Sequence, residues 1–295
     1  MMSKVKGIYA ATLSVLNENL SLNIDNTIKH AENVIELGCH GVVFFGSTGQ
    51  SQLISLSEKI QLINTLPKSK DKDKFIIGTG LNSLSDTINL MKISQSNKFN
   101  RFLIMPPAYY KYGDEDVINF YENIINAIPE SEIILYNFEK LSGYKFSLNC
   151  IEKLVSKFPE QIIGVKDSSY NLFKELKLKD FSIMPGSESK LLDGLNIGCS
   201  GIITATTNVT ASYARNVYDS FMNNREQTQN EKLCEIRLAF EKYNLISGLH
   251  TFLSGKDKNF KNLLPPLHLL NENERKELNN ILDKLGFNIK TLRAA

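Results

Sequence analysis

The sequence predicts an α/β protein folded as a closed (β/α)8 barrel of the TIM type, followed by a helical C-terminal extension. Three observations carry this. Eight short β-branched runs alternate with longer amphipathic stretches, which argues for a parallel sheet. Eight such repeats in one chain of 295 residues suit a closed barrel better than an open doubly wound sheet. No GxGxxG follows the first strand, which weakens a dinucleotide-binding alternative.

The strand candidates run in order from KGIYAA at Lys6 through GVVFF at Gly41, FIIGTG at Phe75 and RFLIMP at Arg101. They continue with EIILYN at Glu132, IIGVKD at Ile162, FSIMPG at Phe181 and GIITAT at Gly201. Between them, IDNTIKHAENVIELG and GDEDVINFYENIINAI carry apolar residues at three- and four-residue steps. The first has Asp and Asn near its start and Gly at its end, the residues that begin and stop helices. From about Asn223 onward strand signals cease. REQTQNEKLCEIRLAFEKYNLI and NENERKELNNILDKLG read as helices, with LLPPLHLL between them as a turn with an apolar face. The division expected is a barrel over residues 1–222 and a helical extension over 223–295.

Composition narrows the classes. Hydrophobic residues make up 42% and charged residues 22%, enough apolar material for a large core. The net charge of +2 is spread over mixed signs, which offers nucleic acid and membrane surfaces nothing to hold. Cys39, Cys150, Cys199 and Cys234 form no CxxC pair and read as reduced thiols of a cytoplasmic protein. The opening MMSKVKGIYAATLSVL is broken by polar residues and does not resemble a signal peptide. His30, His40, His250 and His268 lack HxH or HExxH spacing, so no metal site is expected. A serine nucleophile lacks its GxSxG elbow.

In such barrels chemistry collects at the C-terminal ends of the strands. Lys166 interrupts the apolar run IIGVKDSS there. Strict alternation puts Ile162, Gly164 and Lys166 on one face and Ile163, Val165 and Asp167 on the other. If the lysine face is the interior, its amine stands among apolar walls, and a neutral amine is a nucleophile that makes a Schiff base with a carbonyl. A lysine at a strand end can equally snorkel to solvent. Tyr136 ends the preceding strand on the same face as Ile134, about 4.8 Å away sideways. It is either a proton shuttle or an aromatic cap on the barrel mouth. The turn Gly46-Ser47-Thr48-Gly49 can aim backbone N–H groups and two hydroxyls at an anion, or it is a plain βα turn.

Together the stretches GSTGQSQLISLSEK, MPPAYYK, LYNFEKLSGYKFS, GVKDSS, PGSES and GIITATTNV resemble the pyruvate-dependent class I aldolases. That group contains dihydrodipicolinate synthase, N-acetylneuraminate lyase and 2-keto-3-deoxygluconate aldolase. The pieces occur in the family's order from about Lys6 to Ser220, and the helical tail suits the family too. The resemblance implies that Lys166 is the Schiff-base lysine and Tyr136 the proton shuttle beside it. It implies that Ser47 and Thr48 hold the keto-acid carboxylate, and that Tyr110 enters a neighbouring subunit's site in a homotetramer built as a dimer of dimers. The backbone of Ile203 would face the lysine, and Gly186 and Glu188 would contact the far end of the substrate.

Departures from the family pattern bear on the substrate. Where dihydrodipicolinate synthases read Tyr-Asn-x-Pro-x-Arg-Thr-Gly, this chain has Leu141 at the arginine, and leucine cannot pair with a carboxylate. Glu139 stands at the proline. The neuraminate lyases' Asp-Glu pair is absent, Ser189 taking the second position. The expectation is cleavage or formation of a C–C bond between pyruvate and an aldehyde, the substrate being a 2-keto-3-deoxy sugar acid. No cofactor is expected, because the imine itself supplies the electron sink. Dihydrodipicolinate synthesis and a dehydratase on the same scaffold are the alternatives within the family. A non-catalytic keto-acid-binding barrel and a phosphate-handling barrel isomerase are those outside it.

Overall fold

A computed structural model describes residues 5–287. Eight strands form one parallel sheet: β1 Gly7–Ala11, β2 Gly41–Phe44, β3 Phe75–Gly78, β4 Arg101–Ile104, β5 Glu132–Asn137, β6 Ile162–Asp167, β7 Ser182–Pro185 and β8 Gly201–Thr204. Their order, β7-β6-β5-β4-β3-β2-β1-β8, is that of a barrel cut between its last two strands. A hydrogen bond from Ser200 N–H to the Ile183 carbonyl, 2.9 Å, ties the two edges. Each predicted strand run contains its observed strand.

The helices are α1 Ile24–Glu36, α2 Leu56–Thr65, α3 Leu84–Ser96, α4 Asp114–Ala127, α5 Glu139–Ser142, α6 Leu148–Lys157, α7 Leu191–Asn196 and α8 Thr207–Met222. After them come α9 Asn230–Glu241, α10 Leu245–Ser254 and α11 Glu272–Lys284; α9 and α11 fall in the two stretches that read as helices, and α10, which begins where the first of these ends, is a helix not expected from the sequence. Local chemistry starts several of them. Asn23, Ser55, Ser83, Ser147 and Asn271 each accept a backbone N–H from the first turn. Glu58 and Glu274 complete capping boxes at α2 and α11. Gly38, at φ +129°, ends the first helical segment as its sequence predicts.

Three apolar layers follow. Val42, Phe44, Phe102, Ile133, Leu135, Val165 and Ile202 face the helices in the main core. Tyr9, Val43, Ile76, Leu103, Ile134, Met184 and Ile203 fill the barrel interior. Leu13, Val15, Ala205 and Val209, from the active end of the barrel, share a third cluster with Ile236, Phe240, Leu249 and Leu278 of the late helices. That shared cluster holds α9 and α10 beside the strand ends, where they can contribute to a site.

Strand β6 departs from strict alternation. Its register against β5 shifts between Ile133 and Ile134, so that Ile133 pairs with Ile162 but Ile134 pairs with Gly164. Ile163 is the extra residue of a bulge. Ile162 therefore packs with Val165 against the helices and Ile163 packs inside, the reverse of the sequence expectation for these two. Beyond the bulge Tyr136 pairs with Lys166, side by side. Gly164 lacks a Cβ because one there would stand 2.6 Å from the Ser182 carbonyl of β7. The connection from β6 to β7 forms no regular helix among the described residues.

Candidate active site

The ends of β5 and β6 place Tyr136 and Lys166 together. Both are nearly inaccessible, at 4% and 3% exposure. The Lys166 amine lies 4.2 Å from the Tyr136 ring centroid. The Tyr136 hydroxyl shares a hydrogen bond of 3.1 Å with Ser47 Oγ. Among the described residues Lys166 makes no ion pair and donates no hydrogen bond. A second buried lysine shows the contrast. Lys59 donates to the carbonyls of Thr79 (2.9 Å) and Gly80 (3.3 Å), and burial pushes its ammonium down to about 8. Lys59 is satisfied by the fold, whereas Lys166 has no protein acceptor and faces the cavity.

The turn after β2 forms one wall. Phe45 and Gln50 bracket it in left-handed conformations, φ +54° and +56°. Ser47–Gly49 make a single 3-10 turn in which the N–H groups of Gly49 and Gln50 return to the carbonyls of Gly46 and Ser47. The N–H groups of Ser47 and Thr48 have no protein acceptor among the described residues. Both side chains line a cavity of about 300 Å³ together with Tyr136 and Lys166.

The far end of this cavity was partly missed by sequence reasoning. Gly186 lines it, and the absent Cβ leaves room for the Ser168 hydroxyl, which a Cβ would approach to 2.1 Å. Glu188 does not line it. Its fully buried carboxylate lies behind the wall, accepting from Thr204 (2.8 Å), Thr206 (2.6 Å) and Thr210 (3.2 Å), and from Arg237 Nη1 at 3.2 Å. Arg237, from α9, is the group that reaches the cavity, with Glu241 one turn later. Leu233, Ile236 and Phe240 stand on the buried side of α9, and Arg237 sits at helical spacing among them. An arginine on an apolar stripe was the available signal.

Ser168, Ser169 and Tyr170 come from the β6–β7 connection. Asp167 builds that connection. Its carboxylate accepts from Asn137 Nδ2 (2.8 Å) and from the backbone N–H groups of Tyr170 (2.9 Å), Leu172 (2.9 Å) and Phe173 (3.0 Å). Tyr170 is held at φ +59°, a strained conformation for an aromatic residue and one that collects at functional sites. Ile203 is buried in the barrel interior. Tyr110 stands apart from the cavity, 74% exposed, edge to face with the 89% exposed Tyr109 at 5.2 Å. Leu141 faces a neighbouring apolar cavity instead of the one holding Lys166. The four cysteines are free thiols. No described helix is long and apolar enough to cross a membrane.

An uncharacterized DapA-like lyase of Chloroflexus aurantiacus is 27% identical over 227 residues, 75% of this chain and 76% of the relative. A 4-hydroxy-tetrahydrodipicolinate synthase of Karelsulcia muelleri is 28% identical over 210 residues, 69% of this chain and 70% of that one. Among solved structures, YagE from E. coli K12, determined in complex with pyruvate, superposes with a TM-score of 0.88 at 20% identity, covering 97% of this chain and all of that one. Dihydrodipicolinate synthase DapA-2 from Bacillus anthracis gives 0.87 at 22% identity, covering 96% and 99%. These two superpositions establish the fold. The family model of the Dihydrodipicolinate synthetase family matches residues 4–285, and the chain belongs to that family.

Proposed function

We propose that this protein is a Schiff-base lyase that cleaves or forms the C3–C4 bond of a 2-keto-3-deoxy sugar acid, releasing or consuming pyruvate and an aldehyde. The observation that carries the reading is the buried, unpartnered amine of Lys166 over the ring of Tyr136. An amine that no protein acceptor holds and that opens into a cavity is free to add to a carbonyl there.

The residues divide the work. The N–H groups and hydroxyls of Ser47 and Thr48 hold the keto-acid carboxylate, which turns C2 toward Lys166. The amine adds to C2 to give a carbinolamine. Tyr136, bonded to Ser47, passes a proton to the departing hydroxyl, and water leaves as the iminium forms. The iminium then accepts the electron pair of the C3–C4 bond. The C4 hydroxyl loses its proton as the aldehyde departs, leaving an enamine on Lys166. Protonation at C3 and hydrolysis return pyruvate and the free amine.

A second reading within the family is 4-hydroxy-tetrahydrodipicolinate synthesis, the activity in the name of the Karelsulcia relative. Leu141, an apolar side chain lining the adjoining cavity, gives it no carboxylate anchor at the expected position. Exposed Tyr109 and Tyr110 support a homo-oligomer, read as a tetramer, in which these rings are covered by a second copy.

Incubation with pyruvate and borohydride tests the chemistry. A stable pyruvate-derived mass increase is expected on the peptide carrying Lys166, and folded protein that acquires none overturns the proposal. Release of pyruvate from 2-keto-3-deoxygluconate and N-acetylneuraminate then separates the sugar acids.

A further inference from the structure

Resting on the Schiff-base reading, we infer that α9 carries the subsite that selects the substrate's tail. In this subsite Arg237 and Glu241 specify a neutral, polyhydroxylated aldehyde half.

Both side chains line the cavity that holds Lys166. The Arg237 side chain is only 7% exposed, and most of its donors are committed. Nε donates to Glu241 Oε1 at 2.7 Å. Nη1 donates to Thr204 Oγ1 at 2.9 Å, Thr206 Oγ1 at 3.1 Å and Glu188 Oε2 at 3.2 Å. Nη2 has no acceptor among the described residues. Its two N–H donors belong to a guanidinium locked on its other sides, so no side-chain freedom is lost when a ligand takes them. Glu241 likewise offers Oε2, for which no donor is present among the described residues, at the more open side of the pair.

The charges identify what the pair reads. Glu188 and Glu241 more than neutralise Arg237, so these three groups carry one net negative charge. A carboxylate or phosphate on the tail would meet the guanidinium and the Glu241 carboxylate together, an attraction offset by repulsion. A pair of neighbouring hydroxyls meets both groups favourably. One accepts from Nη2 and the other donates to Glu241 Oε2. Ser168, Ser169 and Tyr170, which also line the cavity, add hydroxyls that serve as donor or acceptor to further alcohol groups. An apolar aldehyde would leave the Arg237 and Glu241 groups desolvated without partners.

Aldol synthesis from pyruvate provides the test, with glyceraldehyde, propanal and succinic semialdehyde as polyol, apolar and anionic probes. Wild-type protein is expected to prefer glyceraldehyde in kcat/KM over both others. Glu241→Ala and Arg237→Lys are each expected to lower the glyceraldehyde-to-propanal ratio by about ten- to a hundredfold, the worth of a hydrogen bond to a charged group. Using the ratio cancels any general loss of active protein, and Glu241, near the surface, provides a variant that leaves the buried Arg237–Glu188 pair in place. An unchanged ratio in both variants, a wild-type preference for succinic semialdehyde or propanal, or pyruvate adduct formation without condensation of any probe overturns the inference while the Schiff-base chemistry stands. Failure of wild-type protein to form a borohydride-stable pyruvate adduct overturns that underlying chemistry.

Discussion

Two lysines buried in the same barrel end have opposite fates because of what surrounds their nitrogens. Lys59 is anchored by two carbonyls, and Lys166 by none. Substituting each by methionine, similar in length and apolar, should separate them. Lys166→Met removes a largely buried amine that no protein acceptor holds and is expected to raise the melting temperature by about 2–4 °C while abolishing the pyruvate adduct, since about 1 kcal/mol moves a chain of this size by that much. Lys59→Met strands two buried carbonyls and is expected to lower it. Calorimetry on both variants decides; a lower melting temperature for Lys166→Met would show that the amine is satisfied after all. Tyr136→Phe makes the complementary cut. It keeps the ring beneath the amine and deletes the hydroxyl bonded to Ser47, so turnover is expected to fall about a hundredfold or more, the usual worth of a placed proton donor. A pre-steady-state assay should locate the loss in imine formation, with pyruvate still trapped at long times.

The strand ends and the connections after them make the site, and they were not equally legible in the sequence. Every strand of the barrel was announced by a β-branched run, because strands buried on both faces have little choice of composition. Lys166 and Tyr136 stood out as polar ends to such runs. The bulge at Ile163 could not be seen, since two isoleucines in succession suit either face, and only the register against β5 reveals the extra residue. Glu188 was visible as a motif residue, but its partners come from β8, α8 and α9, so its burial behind Arg237 depends on contacts 16 to 49 residues away. The β6–β7 connection is the least regular of these pieces and depends on one side chain. Asp167→Ala would leave Asn137 and three backbone N–H groups without their acceptor, at a cost of about 3 kcal/mol, and would free Tyr170 from its strained position. Denaturant unfolding measures the loss. Asp167→Asn, which retains one oxygen, should lose less; equal stability in the Ala variant would show that solvent replaces the carboxylate without penalty.

At the scale of the molecule, the barrel and the late helices are joined by a shared apolar cluster and by two histidines. His30, on α1, bonds Asn208 of α8 at 2.8 Å; His250, on α10, bonds the Phe260 carbonyl at 2.9 Å; the Phe260 ring lies between them, 5.0 and 5.9 Å from the two imidazoles. Burial pushes each ring down to about 4, against the weaker opposing pull of these hydrogen bonds and, for His30, of Asp257. Both are therefore neutral in the fold. The unfolded chain, whose histidines titrate near 6.5, binds protons more readily, so the stability present above about pH 6.5 is lost as pH falls toward 4. A depression of this size corresponds to about 3 kcal/mol for one ring. The melting temperature is expected to be level above neutrality and to drop through that window, with a shallower drop in His30→Gln. Because the two rings lie where α1, α8 and α10 meet the segment around Phe260, amide exchange at pH 5 should accelerate in α10 before it does in β1 to β8. Since α10 follows directly on the helix that carries Arg237 and Glu241, loosening there should reduce discrimination between aldehydes before the pyruvate adduct on Lys166 is lost. Parallel loss of both, with exchange rising uniformly along the chain, would instead mean that barrel and extension unfold as one unit.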